Sequence, residues 1–180
     1  MSIRYVCEKA EHVIKKYDET DPFRLAAAMK CLVLLEPMGK SESSCKGLFL
    51  NIKRVNTIIL NSDLPAQLRK IILAHELGHI VLHKSVVKLR QFHEFSLYNT
   101  TSNFEYEANL FAAEILLDDD EVIRLLGEDS FFFSVARQLE VPPEMLDFKF
   151  RILKSKGKLD VAAPISSRGD YLRRLDNGRE

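Results

Sequence analysis

Two imidazoles and a carboxylate fall together in the run His75-Glu76-Leu77-Gly78-His79. Side chains four apart share one face of a helix, so the rings of His75 and His79 can point at a single ion. Neutral imidazole nitrogens suit Zn2+, which favours a tetrahedral shell. The interleaved Glu76 cannot easily join that shell, but it reaches a water held on the ion. This is the arrangement that zinc-dependent hydrolysis of a peptide bond requires. Glu76 is then the catalytic residue: it takes the proton of the attacking water and hands it to the leaving amine.

The flanks fit the same reading. Upstream of the run lie Ile71, Ile72, Leu73 and Ala74, and downstream Ile80, Val81 and Leu82. A segment so nearly apolar all round predicts a buried helix, and ionisable groups inside one are expensive unless paired or coordinated.

A catalytic zinc wants three protein ligands and an open position, so a third must come from a separate element. A helix predicted from about Asn103 to Leu117 offers Glu105, Glu107 and Glu114. Glu105 and Asn109 are four apart and share a face, which can place a carboxylate on the ion and an amide behind a ligating histidine. Glu107 lies two positions round the helix and points elsewhere, and Glu114 falls nine residues after Glu105. Any single one of these glutamates has a plain alternative as part of a solvated face, with Ala108, Phe111, Ala112 and Ile115 marking the core side. A donor to the developing oxyanion would help catalysis, and His83, His93, Tyr98 and Tyr106 are the candidates. His83 sits one turn beyond His79. It is a candidate donor or fourth nitrogen, against the simpler reading of a helix-end histidine bonded to carbonyls.

The remaining chain supplies elements to hold these groups. Apolar positions at helical spacing run from Tyr5 to Tyr17, and Asp21-Pro22 opens a second helix. Cys31–Leu35, Gly47–Ile52 and Asn56–Leu60 read as three short strands, the last two joined by Lys53-Arg54. Asn61-Ser62-Asp63 reads as a cap cluster before Pro65, where the long helix bearing the histidines begins. Residues 85–102 are a polar and aromatic connector, a candidate substrate-facing loop. The acidic run Asp118–Glu121 complements the start of another helix. A helix pair then occupies 130–153 around Val141-Pro142-Pro143, and residues 157–180 read as a flexible tail. Strands first and helices after predict an α+β domain over 1–156, a small three-stranded sheet packed on the histidine helix with a mostly helical C-terminal half.

Composition sets bounds. Lys+Arg and Asp+Glu are both 26, so no global charge draws the chain to nucleic acid or an anionic membrane. No apolar run is long enough to span a bilayer. The N-terminal residues carry charges where a secretion signal needs its apolar stretch. Cys7, Cys31 and Cys45 have no paired-ligand spacing and read as free thiols of a reducing compartment, which points to the cytoplasm.

The histidine run is followed about 25 residues later by Glu105-x-x-Ala108-Asn109-x-Phe111-Ala112. Together these resemble the ImmA/IrrE family of zinc metallopeptidases. The likeness extends to Ile58–Asn61, Leu82-His83, the Phe111–Leu117 stretch, Val141-Pro142 and Phe148-Lys149, and covers roughly residues 45 to 153. The short chain is similar to the ImmA-like members of phages and mobile elements. One departure is Leu116-Leu117-Asp118 where the family pattern has Leu-Met-Pro. The resemblance implies a minimal gluzincin-like fold, with zinc on His75, His79 and Glu105 and Glu76 as base. It also implies that the protein substrate is a helix-turn-helix repressor, cut to relieve repression.

Two other readings compete. Residues 135–151 have the outline of a helix-turn-helix, but the turn holds two prolines and Phe148 and Phe150 stand where base readers would sit, so direct nucleic-acid binding is not expected. The other is a regulatory protein that binds DNA or a repressor and keeps a structural zinc. Within the metallopeptidase reading, the aromatics and Met145 of the 131–153 helix pair exceed what a hairpin needs for its own packing, making it the candidate docking surface, with Met145 and Phe150 as test positions.

Overall fold

The computed structural model describes residues 1–41, 44–52, 54–83, 102–128 and 131–174. Helix α1 (Ile3–Tyr17) starts where Ser2 Oγ accepts the Tyr5 N–H, and ends on Asp18 in the left-handed region. Helix α2 (Pro22–Ala28) has the expected cap, Asp21 Oδ1 accepting the N–H groups of Phe23 and Arg24. Strands β1 (Leu32–Glu36), β2 (Gly47–Ile52) and β3 (Val55–Asn61) form one sheet in the order β1-β3-β2. The β1–β3 pair is parallel and the β2–β3 pair antiparallel. The architecture is α+β, with helices following a small sheet.

Helix α3 (Ala66–Leu82) carries the histidine run and packs on β2 and β3. Ile58 and Leu60 of β3 are fully buried beneath it. Gly47 lets β2 come close, since a Cβ there would lie 2.6 Å from Ile72 Cγ2. The run Asn61-Ser62-Asp63 does not cap α3, whose start at Pro65 has no side-chain cap. Asn61 is instead buried and ties down the incoming loop. Its Nδ2 donates to the carbonyls of Gly39 and Cys45, and its Oδ1 accepts the N–H groups of Met38 and Asp63. A buried amide with all four bonds made is more valuable there than a cap on an end already open to water.

Helix α4 (Ser102–Leu116) lies against α3, α1 and α7 (Pro143–Ser155). Between α4 and α7 come α5 (Asp119–Glu128) and α6 (Phe132–Gln138). Asp118 Oδ1 caps α5 by accepting from Asp120 and Glu121. Glu114 is buried, not solvated: it pairs with Lys149 Nζ at 2.8 Å and with Lys156, and Asp119 joins the same group. Of the presumed flexible tail, residues 167–172 are packed. Ser167 N–H donates to Asp147 Oδ2 and Arg151 Nη2 to the Ser167 carbonyl. Tyr171 and Leu172, at the short helix α8 (Tyr171–Arg174), are buried, with the Tyr171 ring centroid 5.6 Å from that of Phe148 and tilted 36° to it.

Cys7 and Cys31 are buried free thiols and Cys45 is half-buried. Burial pushes the Cys7 thiol up to about 12, so it serves as a small apolar side chain.

Candidate metal centre

Helix α3 puts His75 and His79 one turn apart, their rings edge to face with centroids 4.7 Å apart and their Nε2 atoms 3.1 Å apart. Glu105, in the first turn of α4, faces the same point: Oε2 is 3.3 Å from His75 Nε2 and Oε1 is 3.6 Å from His79 Nε2. Among the described residues these three offer one ligand atom each, all within 4.8 Å of one another. Gly78 permits the approach of the two helices. A Cβ at that position would lie 3.2 Å from the Cα and O of Ala108 and from Phe111 Cβ. The glycine between the histidines therefore sets how near α4 can bring Glu105.

His75 is held from behind. Its Nδ1 is 2.8 Å from Asn109 Oδ1, and the other end of that amide donates to the Gly169 carbonyl at 2.7 Å. A carbonyl only accepts, so the Asn109 nitrogen must face Gly169 and its oxygen must face His75. His75 then carries its proton on Nδ1 and presents a bare Nε2 to the corner. Burial opposes charge on His75, yet Glu105, Glu76 and Asn109 together raise its pKa above the usual imidazole value. The corner favours positive charge, and a set of two imidazoles and one carboxylate fits a divalent cation.

Glu76 points out of the same turn and is partly exposed. Burial of its carboxyl raises the pKa to about 7. His75 lowers it and Glu105 adds to the rise. A carboxylate next to the two histidines is placed to take and return a proton.

The other candidates fall differently. His83 is buried and both its ring nitrogens are engaged, Nδ1 3.0 Å from His79 Nδ1 and Nε2 2.8 Å from Glu107 Oε2. It is neither an oxyanion donor nor a helix-end ring on carbonyls. Tyr106 faces α7, its ring 5.5 Å from Phe148 with the Arg151 guanidinium 5.4 Å above it, so it does not serve the corner either. His93, Tyr98 and the loop of 85–101 lie outside the described residues. Met145 and Phe150 are 0% and 5% exposed and belong to the core, so they are not a docking surface. The apolar residues the helix pair does expose are Phe131 and Phe133, at 76% and 55%. The same burial turns most of α7 inward.

Sequence reasoning missed Glu107 and Gly169. Glu107 lies round the helix from Glu105, yet it is buried between His83 and the amino group of Met1. Its one sequence signal is its place just ahead of Ala108, at the margin of the apolar stripe. Gly169 acts through its backbone and has no side-chain signal.

With this geometry in view, the comparisons with known proteins carry weight. A family model described as the IrrE N-terminal-like domain, of the peptidase class, matches residues 26–151. The chain belongs to this peptidase family. The match takes in α3 and α4, which carry His75, His79 and Glu105. The family member is 30% identical over 139 residues to "Uncharacterized immunity region protein 2" of Bacillus phage phi105, covering 77% of this chain and 85% of that one. It is 25% identical over 167 residues to "Metallopeptidase ImmA" of Bacillus subtilis (strain 168), covering 89% and 93%. A metallopeptidase family implies a divalent metal. Among the described residues no helix is long and apolar enough to cross a membrane.

Proposed function

We propose that the chain is a zinc-dependent endopeptidase of gluzincin type that cuts a helix-turn-helix repressor in the cytoplasm and so relieves repression. The convergence of His75, His79 and Glu105 beside Glu76 is the observation that carries this reading. The printed names of the two relatives, a phage immunity-region protein and a metallopeptidase, support the class of substrate.

In this reading His75, His79 and Glu105 hold Zn2+, which when bound supplies Lewis acidity toward the scissile carbonyl and acidifies the attacking water. Glu76 takes the water's proton and carries it to the departing amine. Asn109 keeps His75 in its ligating tautomer, and Gly169 keeps Asn109 in place. The catalytic unit we infer thus extends beyond residue 156 to include 167–172. Strand β2 is an edge of the sheet packed on α3, so an extended substrate can pair along it.

The test is incubation of the zinc-loaded protein with a helix-turn-helix repressor of the same genetic element, followed by mass spectrometry of the fragments. A single cut that chelation and Glu76→Gln both abolish is expected. An intact repressor, or equal cutting by Glu76→Gln, would overturn the reading.

A further inference from the structure

A pair other than Asn109 and Gly169 stands behind His79. His83, the C-terminal cap of α3, is anchored by its N–H to the His79 carbonyl at 3.0 Å. Its ring meets Phe104 edge to face at 4.7 Å and is 2% exposed, so it cannot swing away. One nitrogen contacts His79 Nδ1 and the other contacts Glu107.

We propose that His83 and Glu107 are positioning residues that hold His79 with its proton on Nδ1, so that its Nε2 lone pair faces the corner shared with His75 and Glu105. The proposal rests on the reading that this corner holds a divalent cation. The Nδ1 atoms of His79 and His83, 3.0 Å apart and away from the Glu105 carboxylate, need one proton between them, whereas at the Nε2 pair facing Glu105 a cation takes the proton's place. A carboxylate only accepts, so the contact at Glu107 assigns a proton to His83 Nε2. Glu107 also pairs with the Met1 amino group, which keeps it a carboxylate and an acceptor. The His83 side chain is 2% exposed, where a single-protonated ring is the less costly form, and a ring with its one proton on Nε2 has a bare Nδ1. The proton between the rings must then belong to His79 Nδ1. His79 Nε2 is left bare, 3.1 Å from the bare Nε2 of His75.

Helix α4 therefore sets both imidazoles. Glu105 meets them in front, Asn109 fixes His75 from behind, and Glu107 fixes His79 through His83. Two lone pairs and a carboxylate directed at one point repel each other unless a cation lies between them, and groups placed behind metal-binding histidines commonly alter affinity 10–100-fold.

The experiment compares His83→Phe, which keeps a ring without nitrogens, with His83→Gln, whose amide can accept from His79 and donate to Glu107, and with Glu107→Leu. Zinc affinity is measured by competition with a chromogenic chelator, and metal-free melting is followed in parallel. Long-range nitrogen–proton NMR of histidine-labelled, zinc-loaded protein reports which nitrogen of His79 is protonated. A proton on Nδ1 is expected in the unaltered protein. His83→Phe and Glu107→Leu should weaken zinc roughly 10–100-fold, and His83→Gln should lose far less. Wild-type affinity in folded His83→Phe or Glu107→Leu, or a proton on Nε2 of His79, would overturn the proposal. If a variant does not fold, the tautomer in the unaltered protein decides. His79→Ala separates the two levels: zinc retained by that variant defeats the metal site itself, whereas zinc lost there but kept in the other variants defeats only the positioning pair.

Discussion

Asn109 Oδ1 lies 2.8 Å from His75 Nδ1, joining two helices whose contributing residues are 34 positions apart. The direction of that bond is fixed from outside, by the Gly169 carbonyl on the other end of the amide. Replacing Asn109 with Leu should leave His75 free to turn or change tautomer and should weaken zinc about 10–100-fold. Asn109→Asp keeps an acceptor for His75 and should lose less. Chelator competition checks both, and an unchanged affinity in Asn109→Leu would show that the ring needs no brace.

Glu105 and Glu76 should separate by what each loses. Glu105→Gln removes a charged ligand and should lower zinc affinity strongly, with the fold kept. Glu76→Gln should bind one zinc per chain as before and lose turnover by roughly 10²–10⁴-fold, since it removes only the base. Elemental analysis beside a peptide-cleavage assay reads both. Loss of zinc from Glu76→Gln would mean that Glu76 is itself a ligand.

Gly78→Ala tests the crossing of α3 and α4. The added Cβ meets the Ala108 backbone and Phe111 Cβ at 3.2 Å, and neither can rotate away. We expect a destabilisation of about 1–3 kcal/mol in urea unfolding, together with weaker zinc binding as Glu105 is pushed back. A neutral result on both would show that the helix pair has slack.

Met145→Asp should unfold or severely weaken the protein, because it places a carboxylate in a fully buried site. Phe133→Asp, at a position 55% exposed, should change stability by about 0.5 kcal/mol or less. Thermal melts of the two variants decide whether the core and the surface of the helix pair divide as described.

The lysine cluster gives stability a pH dependence. Burial disfavours the charge of Asp119, but Lys149, Lys158 and Lys156 outweigh it and hold the carboxyl well below the usual range. A carboxyl depressed on folding stabilises the native state above its unfolded pKa, and that contribution is lost as the pH falls through the folded value. Stability should therefore drop as the pH goes below about 4, and Asp119→Asn should flatten the drop while lowering stability at neutral pH. Urea midpoints at pH 7, 4 and 3 are the measurement; parallel curves for both proteins would remove Asp119 from the account.

Much of the framework was legible because it depends on short-range rules. Asp21 caps α2, and β2 has its expected bounds, since cap chemistry and apolar runs are local. The partners of Glu107, Glu114 and Asn61 were not legible. Each is a polar residue for which the local pattern allows a solvated face or a cap, and only burial against a distant element decides otherwise. The same holds for Met145 and Phe150: a surplus of apolar side chains on a hairpin marks either an outward surface or a second inward one, and periodicity does not say what covers it.

The sequence by itself determined which groups meet on one helix, because i and i+4 geometry needs nothing beyond the helix: His75 with His79, and Glu105 with Asn109. The tertiary structure decided which way each ring faces and which nitrogen carries its proton. Those depend on Gly169, His83 and Glu107, brought up by the crossing at Gly78 and by the return of residues 167–172. A lone pair's direction is set by the acceptor on the far side of the ring, and for His75 that acceptor is Asn109, whose own orientation is fixed by Gly169 from a third segment.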